Sequence, residues 1–229
     1  MNAPVRFQQP TPHHRFTHDE IGIMQAAGLL PSKDTLILVD GRFVDRATDE
    51  PVRFTLEDVF LMVELGALDP DQRVELIDGD LLDMSPQNAP HMYAKQMLLK
   101  LLVRQLGDEV DIHVEGTLSL ARGVSPMPEI FLHSVAIRVD AVRGPDVLLL
   151  IEVADSSLLH DLGLKASLYA RYGVADYWVV DAYGRRIFVH RQPGPDGYGE
   201  ILQVDRDGEV IPLAFPDLTV RVADLPTAD

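Results

Sequence analysis

PDVLLLIEVADSSLLHDLGLK, residues 145–165, is the stretch that decides how the chain reads. Val147 to Ile151 is an aliphatic, β-branched run with the length and composition of a buried strand. Glu152 interrupts it where the interior should still be dry, and an ionised carboxylate there costs several kcal/mol unless a cation or donors meet it. A short loop with Asp155, Ser156 and Ser157 follows, and a helix is expected to open near Leu162 with Lys165 in its first turn. An acid at a strand end with a lysine beyond a polar loop is a pattern suited to metal-assisted hydrolysis. The plainer alternative is that Glu152 caps the strand or pairs with an arginine.

The 229 residues can hold one large domain or a domain with an extension. A hydrophobic fraction of 46% and a mean hydropathy of +0.03 fit a soluble globular chain. No apolar run reaches the ~20 residues of a membrane span. The opening MNAPVRFQQPTPHHRF has no secretory apolar segment, so a cytoplasmic location is expected. With no cysteine, thiolate nucleophiles, disulfides and Cys-ligated zinc are excluded.

A net charge of −16 disfavours nucleic-acid binding globally, because phosphate recognition draws on cationic surface. One local exception stands out: Lys165, Arg171, Arg185, Arg186 and Arg191 face only Asp176 and Asp181 over residues 165–191. Lysine is otherwise scarce, confined to Lys33, Lys95, Lys100 and Lys165.

Residues 1–15 are polar, with Pro4, Pro10 and Pro12, and read as a mobile segment. The adjacent His13 and His14 are a poor metal pair, because neighbouring side chains diverge. A repeat then appears: FTHDEIGIMQAAGLLPSKDTLILVDGRF (16–43) aligns without gaps on FTLEDVFLMVELGALDPDQRVELIDGDL (54–81). Each copy reads as a helix, a loop and a hairpin. Thr17 with Glu20, and Thr55 with Asp58, form capping boxes; Asp40-Gly41 and Asp78-Gly79 are hairpin turns. Glu75 in the second copy stands where the first has Ile37. Its plain reading is a solvent-facing strand residue. The first copy is expected to extend the sheet, cover an edge or pack on a second subunit.

Ala94 to Leu106 has Met97, Leu98, Leu101, Leu102 and Leu106 at core spacing for a helix. His91 is expected in the loop before it, as a cap, a solvated side chain or a phosphate contact. Val110 to Leu120 and EIFLHSVAIRV, opened by Glu129, read as strands. VADYWVVD (174–181) reads as a buried strand with Tyr177 and Trp178 as core aromatics, and Arg185 to Arg191 as its hairpin partner. Short strands are expected at 199–204 and 209–214. The sum is α/β, a mixed central sheet flanked by helices, with an N-terminal duplicated helix-hairpin unit.

Glu75, Glu129 and Glu152 thus lie on or beside different strands. Mg²⁺ or Mn²⁺ takes hard oxygen ligands and keeps several waters, so two carboxylates and a backbone carbonyl suffice. Asp161 and Lys165 are one helical turn apart, either positioning the ammonium or forming an ordinary surface pair.

RVELIDGDLLDMSP (73–86), His91, MPEI (127–130), PDVLLLIEVADSS (145–157), the Asp161/Lys165 spacing and YARYGVADYWVVD (169–181) together resemble the Uma2 family. That family is a branch of the PD-(D/E)xK restriction-endonuclease-like superfamily. The resemblance implies a nuclease core over residues 51–195, preceded by an extension (1–50) and followed by a β-rich tail (196–229) packed on the core. It implies Glu129, Glu152 and the Val153 carbonyl as ligands of Mg²⁺ or Mn²⁺. Glu75 would be an additional acid, Lys165 a displaced catalytic lysine, and His91 and Asp161 supporting groups. The substrate implied is nucleic acid, DNA ahead of RNA, reached through the local basic patch, and a homodimer is allowed. Two departures bear on activity. Glu129 stands where the family pattern has Asp, and residues 16–43 lie outside that pattern. The rival expectations are a catalytically silent interaction module and a metal-dependent hydrolase with a different substrate.

Overall fold

The computed structural model describes residues 13–225. Expectations for residues 1–12 and 226–229 lie outside them. The described chain divides into two compact units, one of residues 13–84 with 119–126 and one of residues 85–118 with 127–225.

The first unit is the repeat. α1 (His18–Ala26) leads to the hairpin of β1 (Leu36–Val39) and β2 (Arg42–Asp45), to which β3 (Glu50–Pro51) adds. α2 (Leu56–Glu64) leads to the hairpin of β4 (Val74–Ile77) and β5 (Asp80–Asp83). Both capping boxes are formed, through Thr17/Glu20 and Thr55/Asp58. Both Asp-Gly turns hold positive φ at each residue, the conformation a two-residue hairpin loop demands. Equivalent residues of the two copies meet in one core: Met24 with Met62, Leu30 with Leu68, and Phe43 with Leu81. Neither hairpin joins the large sheet; each belongs to a separate small one, so the first copy does not extend the main sheet as expected. His13 bridges Leu82, and His14 Nδ1 stands 2.6 Å from Asp83 Oδ1, so this end of the segment read as mobile is anchored to β5.

The second unit carries a six-stranded sheet in the order β11-β10-β9-β8-β7-β6. Its strands are β6 (Val110–Val114), β7 (Ile130–Ser134), β8 (Leu149–Ala154), β9 (Asp176–Asp181), β10 (Arg186–Gly194) and β11 (Gly197–Val204). Only β8 and β9 run parallel; the other neighbours are antiparallel. β8 is buried at all six positions, as a central strand covered on both faces must be. It lies two residues later than the apolar run suggests, so Glu152 sits inside the strand rather than at its end.

α3 (Ala89–Gln105) lays Ala94, Leu98 and Leu102 on Ile130, Leu132, Leu149, Ile151, Trp178 and Val180. β12 (Glu209–Val210) and β13 (Val220–Arg221) close the same core with Val210, Leu218, Val220 and Val222. The crossover from β8 to β9 is helical from Leu158 to Arg171, between a short loop and a turn. α4 (Leu158–His160) runs into a π-helical turn, Asp161–Lys165, and then α5 (Ala166–Arg171). The helix therefore begins four residues before Leu162, and Lys165 lies about two turns in rather than in the first.

Candidate functional site

Glu152 is 3% exposed and its carboxylate is matched on one side by a cation. Lys165 Nζ donates to Oε1 at 3.0 Å, and Tyr169 Oη donates to the same oxygen at 2.9 Å. Oε2 accepts from the backbone N–H of Glu129 at 3.3 Å, which ties the residue ahead of β7 to the middle of β8. The partner of the buried acid is thus a lysine from the crossover helix, not an arginine or a cap.

The π-helical turn sets that lysine. The Ala166 N–H reaches back five residues to the Asp161 carbonyl, which also accepts from Tyr177 Oη at 2.9 Å. A π turn inserts one extra residue into a helix, re-aiming the side chains around it, and such turns recur at functional sites. Asp161 and Lys165 are both buried, at 3% and 4% exposure. Ser157 Oγ donates to Asp161 Oδ2 at 2.6 Å. Neither is therefore part of an exposed surface pair.

Glu129 heads a second cluster. His91 Nε2 stands 3.0 Å from its Oε1, and Lys95 Nζ 2.9 Å from its Oε2. Gln87 Nε2 donates to both oxygens, at 2.9 and 3.1 Å. Burial pushes the Glu129 carboxyl upward, but the hydrogen bonds and charges of His91 and Lys95 outweigh it and hold the pKa at about 2. Lys95 also donates to Glu115 Oε1 and to Gln87 Oε1, each at 2.9 Å, and Gln87 bonds Glu115 in turn.

His91 is not in a loop. Asn88 caps α3 by accepting from the His91 N–H, Pro90 occupies the first turn, and His91 is the third helical residue. His91 and Lys95 are four apart and so share a helix face. Asn88 Nδ2 reaches Asp155 and, at 3.1 Å, Tyr183 Oη, which connects the start of α3 to the loop after β8. Val153 is buried beside Glu152 in β8.

Among the proposed site residues, Glu129, Glu152, His91, Asp161, Lys165 and Val153 all belong to the sheet-bearing unit. Glu75 belongs to the repeat unit, where it pairs across the hairpin with Leu82 and is 3% exposed rather than solvent-facing. Gln87, Lys95, Glu115 and Tyr169 were not singled out from sequence as site residues. The scarcity of lysine and the i, i+4 spacing from His91 are the signals by which Lys95 could have been found.

The stretch of local positive charge is largely spent internally. Lys165 is buried on Glu152, Arg186 Nε bonds Asp181 at 2.9 Å, and Arg191 Nε bonds Asp176 at 3.0 Å. Arg171 lies over the Tyr172 ring. Lys165 to Arg191 does not form a free cationic surface of five groups.

The family profile described as "Putative restriction endonuclease", Uma2, matches residues 56–223. The chain belongs to the Uma2 family. The fold agrees: a crystal structure of a putative nuclease belonging to DUF820 from Anabaena variabilis ATCC 29413 superposes with a TM-score of 0.61. That match is 15% identical and covers 75% of this chain and 97% of the other. The comparison with curated proteins finds no match. Among the described residues no helix is long and apolar enough to cross a membrane.

Proposed function

We propose that this Uma2 protein is a metal-dependent endonuclease that hydrolyses nucleic-acid phosphodiester bonds. The observation that carries the proposal is the buried pairing of Glu152 with Lys165, joined through the Glu129 N–H to a second ionised carboxylate. A lone buried acid would be neutral or paired once. Here two acids, two lysines and a histidine are held together in the sheet-bearing unit, a density of opposed charge that costs desolvation and adds little stability in return.

The donor set fits a hard dication. Glu129, just ahead of β7, and Glu152, in β8, offer carboxylate oxygens, and the Val153 carbonyl follows Glu152 in sequence. These three would hold Mg²⁺ or Mn²⁺. When bound, such an ion polarises a phosphoryl oxygen and acidifies a water.

The chain's own groups do the remaining work. Glu129 is kept ionised at neutral pH by His91 and Lys95, so it is a ready ligand. Lys165 is positioned by the π-helical turn and by its bond to Glu152, where its ammonium would orient a water or balance charge on phosphate. Asp161 is fixed by Ser157 and holds the turn that carries Lys165. DNA is the preferred substrate in this reading.

The test is cleavage of plasmid DNA, single-stranded DNA and RNA with Mg²⁺ or Mn²⁺, comparing the wild-type protein with Glu152→Gln and Glu129→Gln. Metal-dependent cleavage that falls at least a hundredfold in both variants is the expected result. Cleavage unaffected by Glu152→Gln, or no cleavage of any substrate, overturns it.

A second reading, a silent interaction module, draws on one observation. Both Glu129 oxygens already contact His91, Lys95 and Gln87, and Glu is one methylene longer than the Asp of the family pattern. That reading predicts binding partners and no cleavage.

A further inference from the structure

On the edge of the six-stranded sheet, away from the two glutamates, Asp111 and His113 of β6 meet His133 of β7. Asp111 pairs directly with His133 across the antiparallel ladder and His113 with Phe131. Side chains that are paired, or two apart, share a sheet face, so all three groups converge on one face. One ligand atom from each lies within 4.8 Å of the others. His113 Nε2 and His133 Nε2 stand 2.8 Å apart.

Two features make this more than a surface coincidence. His133 is fully buried, and its Nδ1 donates to the Ser134 carbonyl at 2.8 Å. That bond fixes the tautomer and leaves the Nε2 lone pair facing the cluster, the arrangement a metal-ligating imidazole shows. His113 is stacked on Phe131, with centroids 4.7 Å apart and planes 14° from parallel, so its ring is also held.

We infer that Asp111, His113 and His133 form a binding site for a borderline transition-metal dication of the zinc class. Two imidazoles and one carboxylate suit zinc and its neighbours, whereas Mg²⁺ prefers oxygen alone. Nitrogens about 2.0–2.1 Å from a tetrahedral zinc lie roughly 3.3 Å from one another, so the imidazoles need separate by only about half an ångström. Without metal a single proton between the two ring nitrogens satisfies the same contact. Asp111 is exposed, which gives the ion a route in and leaves room for water as a further ligand. The site clamps the edge strand β6 to β7. Along β7, His133 lies four residues from Glu129, about 13 Å of strand, while His113 stands opposite Phe131, two residues from Glu129; the cluster shares no residue with the carboxylate pair.

The test titrates chelator-stripped full-length protein with Zn²⁺ by calorimetry and with Co²⁺ by visible absorption, beside His113→Ala, Asp111→Asn and Glu152→Gln. The tightest equivalent binds the wild type and Glu152→Gln alike; its affinity falls at least tenfold in His113→Ala and Asp111→Asn, and its Co²⁺ bands disappear with it. Circular dichroism checks that each variant is folded, and if His113→Ala is not, the exposed Asp111→Asn decides. The inference fails if neither ion binds, if the two cluster variants bind as well as wild type, or if only Glu152→Gln loses binding. None of these outcomes depends on whether the protein cleaves nucleic acid.

Discussion

Lys165 Nζ donates to Glu152 Oε1 across 3.0 Å with both side chains almost wholly buried. A buried pair of this kind adds little net stability, because each ion was solvated before folding. Removing one partner is different, since it strands the other's charge. Lys165→Ala is expected to cost about 3–5 kcal/mol in urea unfolding. Lys165→Met combined with Glu152→Gln should cost less than the two single changes together, which a double-mutant cycle reads directly. Strict additivity would show that the two side chains are not coupled.

Gly144 precedes β8, and a Cβ built there would stand 1.9 Å from the Tyr172 carbonyl oxygen at the end of α5. Backbone cannot yield as a flexible side chain does. The close approach holds the two ends of the β8–helix unit together, and that unit carries both Glu152 and Lys165. Gly144→Ala is expected to destabilise by roughly 1–3 kcal/mol, with Gly163→Ala as a control because nothing lies within 4 Å of its added Cβ. Thermal denaturation of the two variants gives the comparison.

Much of this arrangement was legible before any coordinates. The unbroken apolar run of β8 could only be a central strand, so its one acid was conspicuous, and a rare lysine following a polar loop was conspicuous with it. The gap-free alignment of the two repeats carried the capping boxes, the Asp-Gly turns and the Met24/Met62 equivalence. What failed depended on tertiary register. The core spacing started the helix at Ala94 and left His91 in a loop, yet Asn88 caps the helix and Pro90 is well tolerated in a first turn, so His91 falls inside α3. Glu75 looked solvent-facing from the pattern of RVELID. In the structure the segment 119–126 covers that hairpin, with Ser125 bonded to Leu76 and Gly123 to Gly79. A π-helical turn leaves no periodic signature, so the burial of Asp161 and Lys165 could not be read from spacing. Nor could the Asp111, His113 and His133 cluster, since it needs the pairing of β6 with β7.

Met24 and Met62 occupy the same position in the two repeats and are both fully buried. If the copies share one core, as their common contacts show, truncating either should destabilise the same unit. Met24→Ala and Met62→Ala are each expected to cost about 2–5 kcal/mol. Leu38, equivalent to the buried Leu76, is 65% exposed, and Leu38→Ala should be near neutral. Urea unfolding of the three variants separates core duplication from mere sequence similarity.

Acid should weaken the fold through Glu129. Its folded pKa of about 2 lies below the ordinary 4.5, although burial acts against it, because His91 and Lys95 favour the carboxylate. A depressed carboxylate pKa means that the unfolded chain takes up protons first as pH falls. The contribution is therefore fully present above about pH 4.5 and is lost as pH drops through the range toward 2. A shift of this size corresponds to about 3 kcal/mol at neutral pH, with roughly 2 kcal/mol already gone by pH 3. Unfolding free energies measured between pH 7 and pH 3 should fall more steeply for the wild type than for Glu129→Gln, which has no proton to gain at this position. Parallel curves would mean that the carboxylate is not held by its neighbours, and with that the ready metal ligand on which the nuclease reading depends would be lost.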